Sequence, residues 1–218
     1  MSKLFDKPSI YFIMGTQNTA GREPLMVLEQ ALAGGINHFQ LREKGSGALT
    51  GDALMKFAVE CKWLCRQYGV PFIVNDHIEL AQAIDADGIH VGQQDAAATA
   101  VRRIMGADKI LGVSVHSLTE AKNAIDSGAD YVGMGPVFNS QTKEDAKSPA
   151  GVSGIAAVKK LHPELPVIGI GGITPDNAAH VWSAGADGVA VISSIAQAEN
   201  IASQVIRFKT NLKAGAGK

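Results

Sequence analysis

Two cations and an amide fall on alternate positions of one short stretch. Gln40-Leu41-Arg42-Glu43-Lys44 closes an apolar run, and in extended chain Gln40, Arg42 and Lys44 share a side. Arginine offers a planar fork of donors and lysine a mobile point charge, so the trio suits a phosphate-like anion. Asn75-Asp76 and Gly92-Gln93-Gln94-Asp95 each end a later apolar run. Either acid alone reads as a helix N-cap. At the tops of neighbouring parallel strands, Asp76 and Asp95 instead make a carboxylate pair facing the anion site. That grouping suits Mg2+, which takes one or two carboxylates together with phosphate oxygens and water. Ser114-Val115-His116-Ser117 adds hydroxyls and an imidazole. Ser114 is a candidate ligand contact, and His116 is either a base or a rim residue. No nucleophile elbow surrounds them.

The longest polar stretch runs Gly135-Pro136-Val137-Phe138-Asn139-Ser140-Gln141-Thr142-Lys143-Glu144-Asp145, with no helix expected before about Gly151. A loop of that length inside a domain is usually functional. Two further strand ends are Gly169-Ile170-Gly171-Gly172-Ile173 and Val191-Ile192-Ser193-Ser194. In barrels the loops after the last two strands often hold phosphate through backbone N–H groups, with Ser193 expected to cap the helix that follows. No G-x-G-x-x-G follows a strand and no Walker pattern occurs, so the nucleotide folds find no support. His38, His77, His90, His162 and His180 show no metal-ligand spacing and read as structural.

These residues need a scaffold that brings them to one end. Apolar runs predict strands over 10–14, 36–41, 72–74, 87–91, 109–115, 130–134, 166–170 and 188–192. Helical spacing predicts helices over 24–33, 52–68, 78–84, 95–105, 118–127, 152–161, 175–184 and 194–209, with a fraying tail from Ala214. The strands are continuously apolar, as in a parallel sheet covered on both faces. Eight strand–helix units in 218 residues predict an α/β fold, a single (β/α)8 TIM barrel over 1–218 with its core at about 9–210. A doubly wound open sheet is the alternative. The joins Ala33-Gly34-Gly35-Ile36, Asp85-Ala86-Asp87-Gly88-Ile89, Ser127-Gly128-Ala129-Asp130-Tyr131 and Ala184-Gly185-Ala186-Asp187-Gly188 echo one another before strands two, four, six and eight. They lie at the bottom of such a barrel and read as structural.

A net charge of −1 gives no basic field for nucleic acid. No stretch approaches the ~20 apolar residues of a membrane helix, and the first residues lack the apolar core of a signal peptide. A soluble, cytoplasmic protein without nucleic-acid or membrane partners is expected. Cys61 and Cys65, four apart in a helical pattern, read as reduced side chains on one helix face. A homo-oligomer is compatible with the sequence.

Taken in order, Gln40-Leu41-Arg42-Glu43-Lys44, Asn75-Asp76, Gly92-Gln93-Gln94-Asp95, Gly112-Val113-Ser114-Val115-His116, Gly135-Pro136-Val137-Phe138 with Thr142-Lys143, and Gly171-Gly172-Ile173 resemble the thiamine-phosphate synthase family over about 10–208. The resemblance implies a Mg2+-dependent transferase on a (β/α)8 barrel. It would couple 4-amino-2-methyl-5-hydroxymethylpyrimidine diphosphate to a thiazole phosphate, giving thiamine monophosphate and pyrophosphate. Carried over by motif, Gln40, Leu41, Arg42, Glu43, Lys44, Asn75, Ser114 and Lys143 would hold the pyrimidine diphosphate, with Lys143, Arg42 and Ser114 as the catalytic group. Asp76 and Asp95 would bind Mg2+. Ser140, Gln141, Thr142, Gly172, Ile192 and Ser193 would hold the thiazole phosphate. The chain departs from the family pattern at Asn139-Ser140, where Pro-Thr is usual. Two rivals stand beside this reading: a thiazole tautomerase of the same barrel family, using His116 for proton transfer, and a non-catalytic sensor of phosphorylated ligands.

Overall fold

The apolar runs pair in the order in which they occur. A computed structural model of the chain describes residue 5 and residues 9–93, 97–139 and 151–215. Its strands are β1 (Ser9–Met14), β2 (His38–Leu41), β3 (Phe72–Asn75), β4 (Gly88–Val91), β5 (Ile110–Val115), β6 (Tyr131–Met134), β7 (Val167–Ile170) and β8 (Gly188–Val191). Each pairs in parallel with the next, and β8 pairs with β1 to close a barrel. Around it run α1 (Pro24–Gly34), α2 (Gly51–Gln67), α3 (Ile78–Ala83), α4 (Ala98–Met105), α5 (Leu118–Asp126), α6 (Ser153–Leu161), α7 (Ala178–Ser183), α8 (Ser193–Ala196) and α9 (Ile201–Gly215). The expected α/β barrel is therefore the fold. Among the described residues no helix is long and apolar enough to cross a membrane.

Alternation along each strand divides the core in two. Outward residues such as Phe12, Phe39 and Phe72 pack with Val101, Val158 and Phe208 in the layer between strands and helices. Burying each such side chain contributes roughly 1.5–3 kcal/mol. Inward residues form a smaller cluster of Phe5, Tyr11, Ile13, Ile73, Tyr131 and Ile168 inside the barrel. Phe5 stacks on His38 at 4.4 Å between ring centres and plugs the lower end. Cys61 and Cys65 are both unpaired and buried on α2, as expected from their spacing.

The echoing joins at the bottom carry one repeated device. Asn37 Oδ1 accepts the N–H of Ile10 at 2.9 Å, and Asp87, Asp130 and Asp187 accept those of Phe72, Leu111 and Val167 at 2.8, 2.7 and 2.9 Å. In each case the same residue's own N–H returns a bond to the carbonyl of its partner. Four side chains thus lock the lower ends of β1 to β2, β3 to β4, β5 to β6, and β7 to β8.

Several boundaries differ from the sequence expectation. The second strand begins at His38 rather than Ile36, because Asn37 serves as the lower lock. A 3-10 turn, Thr16–Asn18, occupies part of the loop after β1. The single helix expected over 194–209 is two helices, with a break after Ala196 where Arg22 Nη1 donates to the Ala198 carbonyl at 2.8 Å. The last helix runs on to Gly215, past the point where fraying was expected.

Candidate active site

Inward positions at the upper strand ends carry polar side chains. Gln40, Asn75, His90 and Ser114 come from β2, β3, β4 and β5, and the strand register sets Asn75 beside His90 and Ser114 beside Gly133. With Arg42 and Tyr131 they line a cavity of about 400 Å3, part of it open to solvent.

A chain of hydrogen bonds crosses this cavity. Asn75 Nδ2 donates to Asp76 Oδ2 at 2.6 Å, and Gln40 Nε2 donates to Asn75 Oδ1 at 2.7 Å. Tyr11 Oη donates to Gln40 Oε1 at 2.9 Å and lies 2.6 Å from Tyr131 Oη. Tyr131 Oη lies 3.0 Å from His90 Nδ1, and His90 Nε2 lies 2.9 Å from Ser114 Oγ. Burial pushes the Tyr11 phenol well above its ordinary pKa, reinforced by its neighbour Tyr131. Burial raises the Tyr131 phenol likewise. Both remain O–H groups at neutral pH.

Room for this chain comes from Gly112 on β5. A Cβ there would collide with the Tyr131 ring and with His90 Nδ1. A glycine inside a strand costs stability by itself; here it admits two rings into the barrel.

Arg42 lines the cavity, and its guanidinium makes no hydrogen bond or ion pair among the described residues. Its donors are open to an anion. Lys44 Nζ is ion-paired with Asp76 Oδ2. Asp76 sits at a φ of 61° just past β3, a left-handed conformation that Asp tolerates better than most residues and that gathers at functional sites. Its N–H donates to the His90 carbonyl at 2.9 Å, which holds the turn.

Other sequence candidates have different surroundings. The Glu43 carboxylate accepts from the Thr16 hydroxyl and N–H at 2.5 and 2.8 Å, from Gln17 Nε2 at 2.8 Å and from the Leu49 N–H at 2.9 Å. Burial pushes its pKa up, but the bonds from Thr16, Leu49 and Gln17 outweigh it and hold the group below the ordinary glutamate range. Glu43 thereby ties the loop after β2 to the loop after β1. The Leu41 side chain packs into the outer core, away from the cavity. Gly172, at a φ of 64°, lies against Phe138 and Asn139, so the close approach it allows is that of the chain's own sixth loop. Ile192 packs against the inner core. Ser193 is the first residue of α8, whose N-cap is Ile192 rather than the expected serine. His116 Nδ1 lies 3.0 Å from Glu120 Oε2, at the start of α5. His77, left without a role by the sequence, caps α3 by accepting the Leu80 N–H at 3.3 Å. Asp95, Ser140, Gln141, Thr142 and Lys143 lie outside the described residues.

Sequence reasoning missed Tyr11, Tyr131 and His90. It took His90 as structural because a metal-spacing test looks for ligands near one another along the chain. Barrel closure is what places His90 between Tyr131 and Ser114. A signal was nonetheless present: His90 stands in phase with the inward residues of β4, and Tyr11 in phase with Ile13 on β1.

The family model of thiamine monophosphate synthase matches residues 10–195. The chain belongs to the thiamine monophosphate synthase family. It is 56% identical over 191 residues to the thiamine-phosphate synthase of Bacillus mycoides (strain KBAB4), a match covering 88% of this chain and 86% of the relative. It is 54% identical over 200 residues to that of Bacillus thuringiensis (strain Al Hakam), covering 92% and 89%. Among solved structures, thiamine phosphate pyrophosphorylase from Pyrococcus furiosus superposes with a TM-score of 0.86 at 31% identity, covering 98% of this chain and 100% of that one. Membership of this synthase family makes the chain a transferase. The tautomerase reading gains no support from these relatives.

Among the described residues no three His, Cys, Asp or Glu side chains are grouped to hold a metal ion. Mg2+ needs no such group, since phosphate oxygens and water supply most of its ligands. Asp76 fits the requirement for one hard oxygen donor: its Oδ2 takes Asn75 and Lys44, while its Oδ1 makes no bond among the described residues.

Proposed function

We propose that this member of the synthase family transfers the pyrimidine methylene of 4-amino-2-methyl-5-hydroxymethylpyrimidine diphosphate to the ring nitrogen of a thiazole phosphate. The C–O bond to the diphosphate breaks and its electron pair leaves with pyrophosphate. The nitrogen lone pair forms the new N–C bond, giving thiamine monophosphate. The observation that carries the reading is the Arg42 guanidinium, which has no partner among the described residues, in the same polar barrel mouth as the Lys44–Asp76 pair of a chain from this family.

Negative charge gathers on the leaving diphosphate, so preorganised cations lower the barrier there. Arg42 and Lys44, with Lys143 from the sixth loop, take its oxygens; Gln40, Asn75 and Ser114 orient the pyrimidine end. Mg2+, held by Asp76 and Asp95, would neutralise the same oxygens. Ser140, Gln141, Thr142, Gly172, Ile192 and Ser193 take the thiazole phosphate. No side-chain nucleophile is required, because the attacking nitrogen belongs to the second substrate. Leu41 contributes backbone, and Glu43 shapes the loop that carries Arg42 and Lys44.

The test is pyrophosphate release by the full chain with both substrates and Mg2+. Release that needs both substrates is the expected result. Binding of both phosphates without release would instead mark a sensor.

A further inference from the structure

The hydrogen bonds across the cavity have a direction, and proton counting fixes it. An ionised carboxylate accepts only, so Asn75 must turn its Nδ2 toward Asp76, leaving Oδ1 to accept from Gln40 Nε2. Gln40 then has only Oε1 to offer Tyr11, whose single hydroxyl proton is thereby used. Tyr131 must donate to Tyr11, and its own oxygen must accept from His90 Nδ1. In a neutral ring Nε2 is then a lone pair, and the proton between it and Ser114 Oγ belongs to the serine.

We infer that Tyr11, Tyr131 and His90 are positioning residues that carry the polarity set at Asp76 across the barrel, hold His90 as its Nδ1–H tautomer, and commit the Ser114 proton to His90 Nε2. Ser114 therefore meets a ligand as an acceptor, and the ligand group opposite it is an N–H donor of the amine class. The ligand half of this inference rests on the function proposed above; the direction of the bonds does not.

The two ends of the chain, Asp76 and Ser114, are thus linked through Asn75, Gln40, Tyr11, Tyr131 and His90, of which the two tyrosines hydrogen-bond to neither end. Tyr11 is the informative position. It makes no contact with His90, yet removing its hydroxyl takes away the acceptor for the Tyr131 proton. That proton then turns to His90 Nδ1, the ring becomes Nε2–H, and the Ser114 proton is released toward the cavity. Tyr131→Phe reaches the same ring state differently: Nδ1 loses its acceptor, and a buried N–H without a partner is the costlier alternative.

The test uses full-length protein with 15N-labelled histidine, without substrates, at a pH of about 8, above the ordinary histidine range. His90→Gln identifies the His90 signals among those of the six histidines. In the unaltered protein the His90 proton is expected on Nδ1; in both Tyr11→Phe and Tyr131→Phe it is expected on Nε2, with thermal melts confirming that each variant is folded. A proton on Nε2 or on both nitrogens of the unaltered protein overturns the inference, as does an Nδ1 proton that persists in folded Tyr11→Phe. In the coupled assay, Tyr11→Phe should lower kcat/KM for the pyrimidine diphosphate about tenfold while leaving KM for the thiazole phosphate within about twofold. Equal loss toward both substrates would reduce Tyr11 to a structural role. Should the unaltered protein show the Nδ1 proton yet release no pyrophosphate, the functional reading fails and the direction of the bonds stands.

Discussion

Arg42 sets what the mouth of the barrel can hold, because its donors face the cavity with no protein acceptor among the described residues. Hydrogen bonds to charged groups contribute about 1.5–3 kcal/mol, so Arg42→Ala should lower kcat/KM for the pyrimidine diphosphate by about 10–100-fold at unchanged melting temperature. Steady-state kinetics that stay within twofold would remove Arg42 from the site. Two residues further on, Glu43 works on the fold instead. Its folded-state pKa lies below the ordinary value, so its contribution is complete above the ordinary glutamate range and fades as pH falls toward the folded-state value. Glu43→Gln should therefore cost about 1 kcal/mol at neutral pH, a figure reduced for partial exposure, and less at an acid pH below the ordinary glutamate range. Denaturant midpoints at the two pH values measure this, and an equal loss at both would reject it. Gln40, Arg42, Asn75 and Ser114 were legible in the sequence because each follows directly from an apolar run and carries an obvious polar group. Tyr11, Tyr131 and His90 were not, because an aromatic residue within an apolar run reads as core until the ring of strands is closed.

At the level of elements, the strands announced themselves through continuous apolar runs, and the closed order followed from their number and alternation with helices. The breaks were harder to read. The chain between α8 and α9 has helical spacing on both sides; at the interruption Arg22, far away in sequence, holds the Ala198 carbonyl, and Asn200 accepts the Ser203 N–H at 2.9 Å where α9 starts. In the same way Asn37 reads as the start of a strand, yet its side chain is spent on the N–H of Ile10. The element that governs the cavity is β5, through the missing side chain at Gly112. Gly112→Ala places a methyl group against Tyr131 and His90, and overpacking of that kind costs about 1–3 kcal/mol. Urea unfolding should show a loss in that range together with reduced coupling activity. A stable, fully active Gly112→Ala protein would mean that the two rings can shift without consequence.

For the whole molecule, the upper rim carries the chemistry and the lower rim carries the repeat. The echo of Asp87, Asp130 and Asp187 was visible in the sequence; that each spends its carboxylate on the preceding strand's N–H was not, since register decides it. Replacing any of the three with alanine leaves a backbone donor unpaired, at about 1–3 kcal/mol, and the three urea midpoints should fall by similar amounts. A loss at only one of them would make that one an isolated bond rather than part of a set. Because the locks join strands two by two, the barrel is divisible along some seams and not others. Polypeptides 1–107 and 108–218 would each keep two intact couples and should reassociate into a working whole when mixed. A break after residue 76 would separate β3 from β4, strand Phe72 from its anchor Asp87, and should complement poorly.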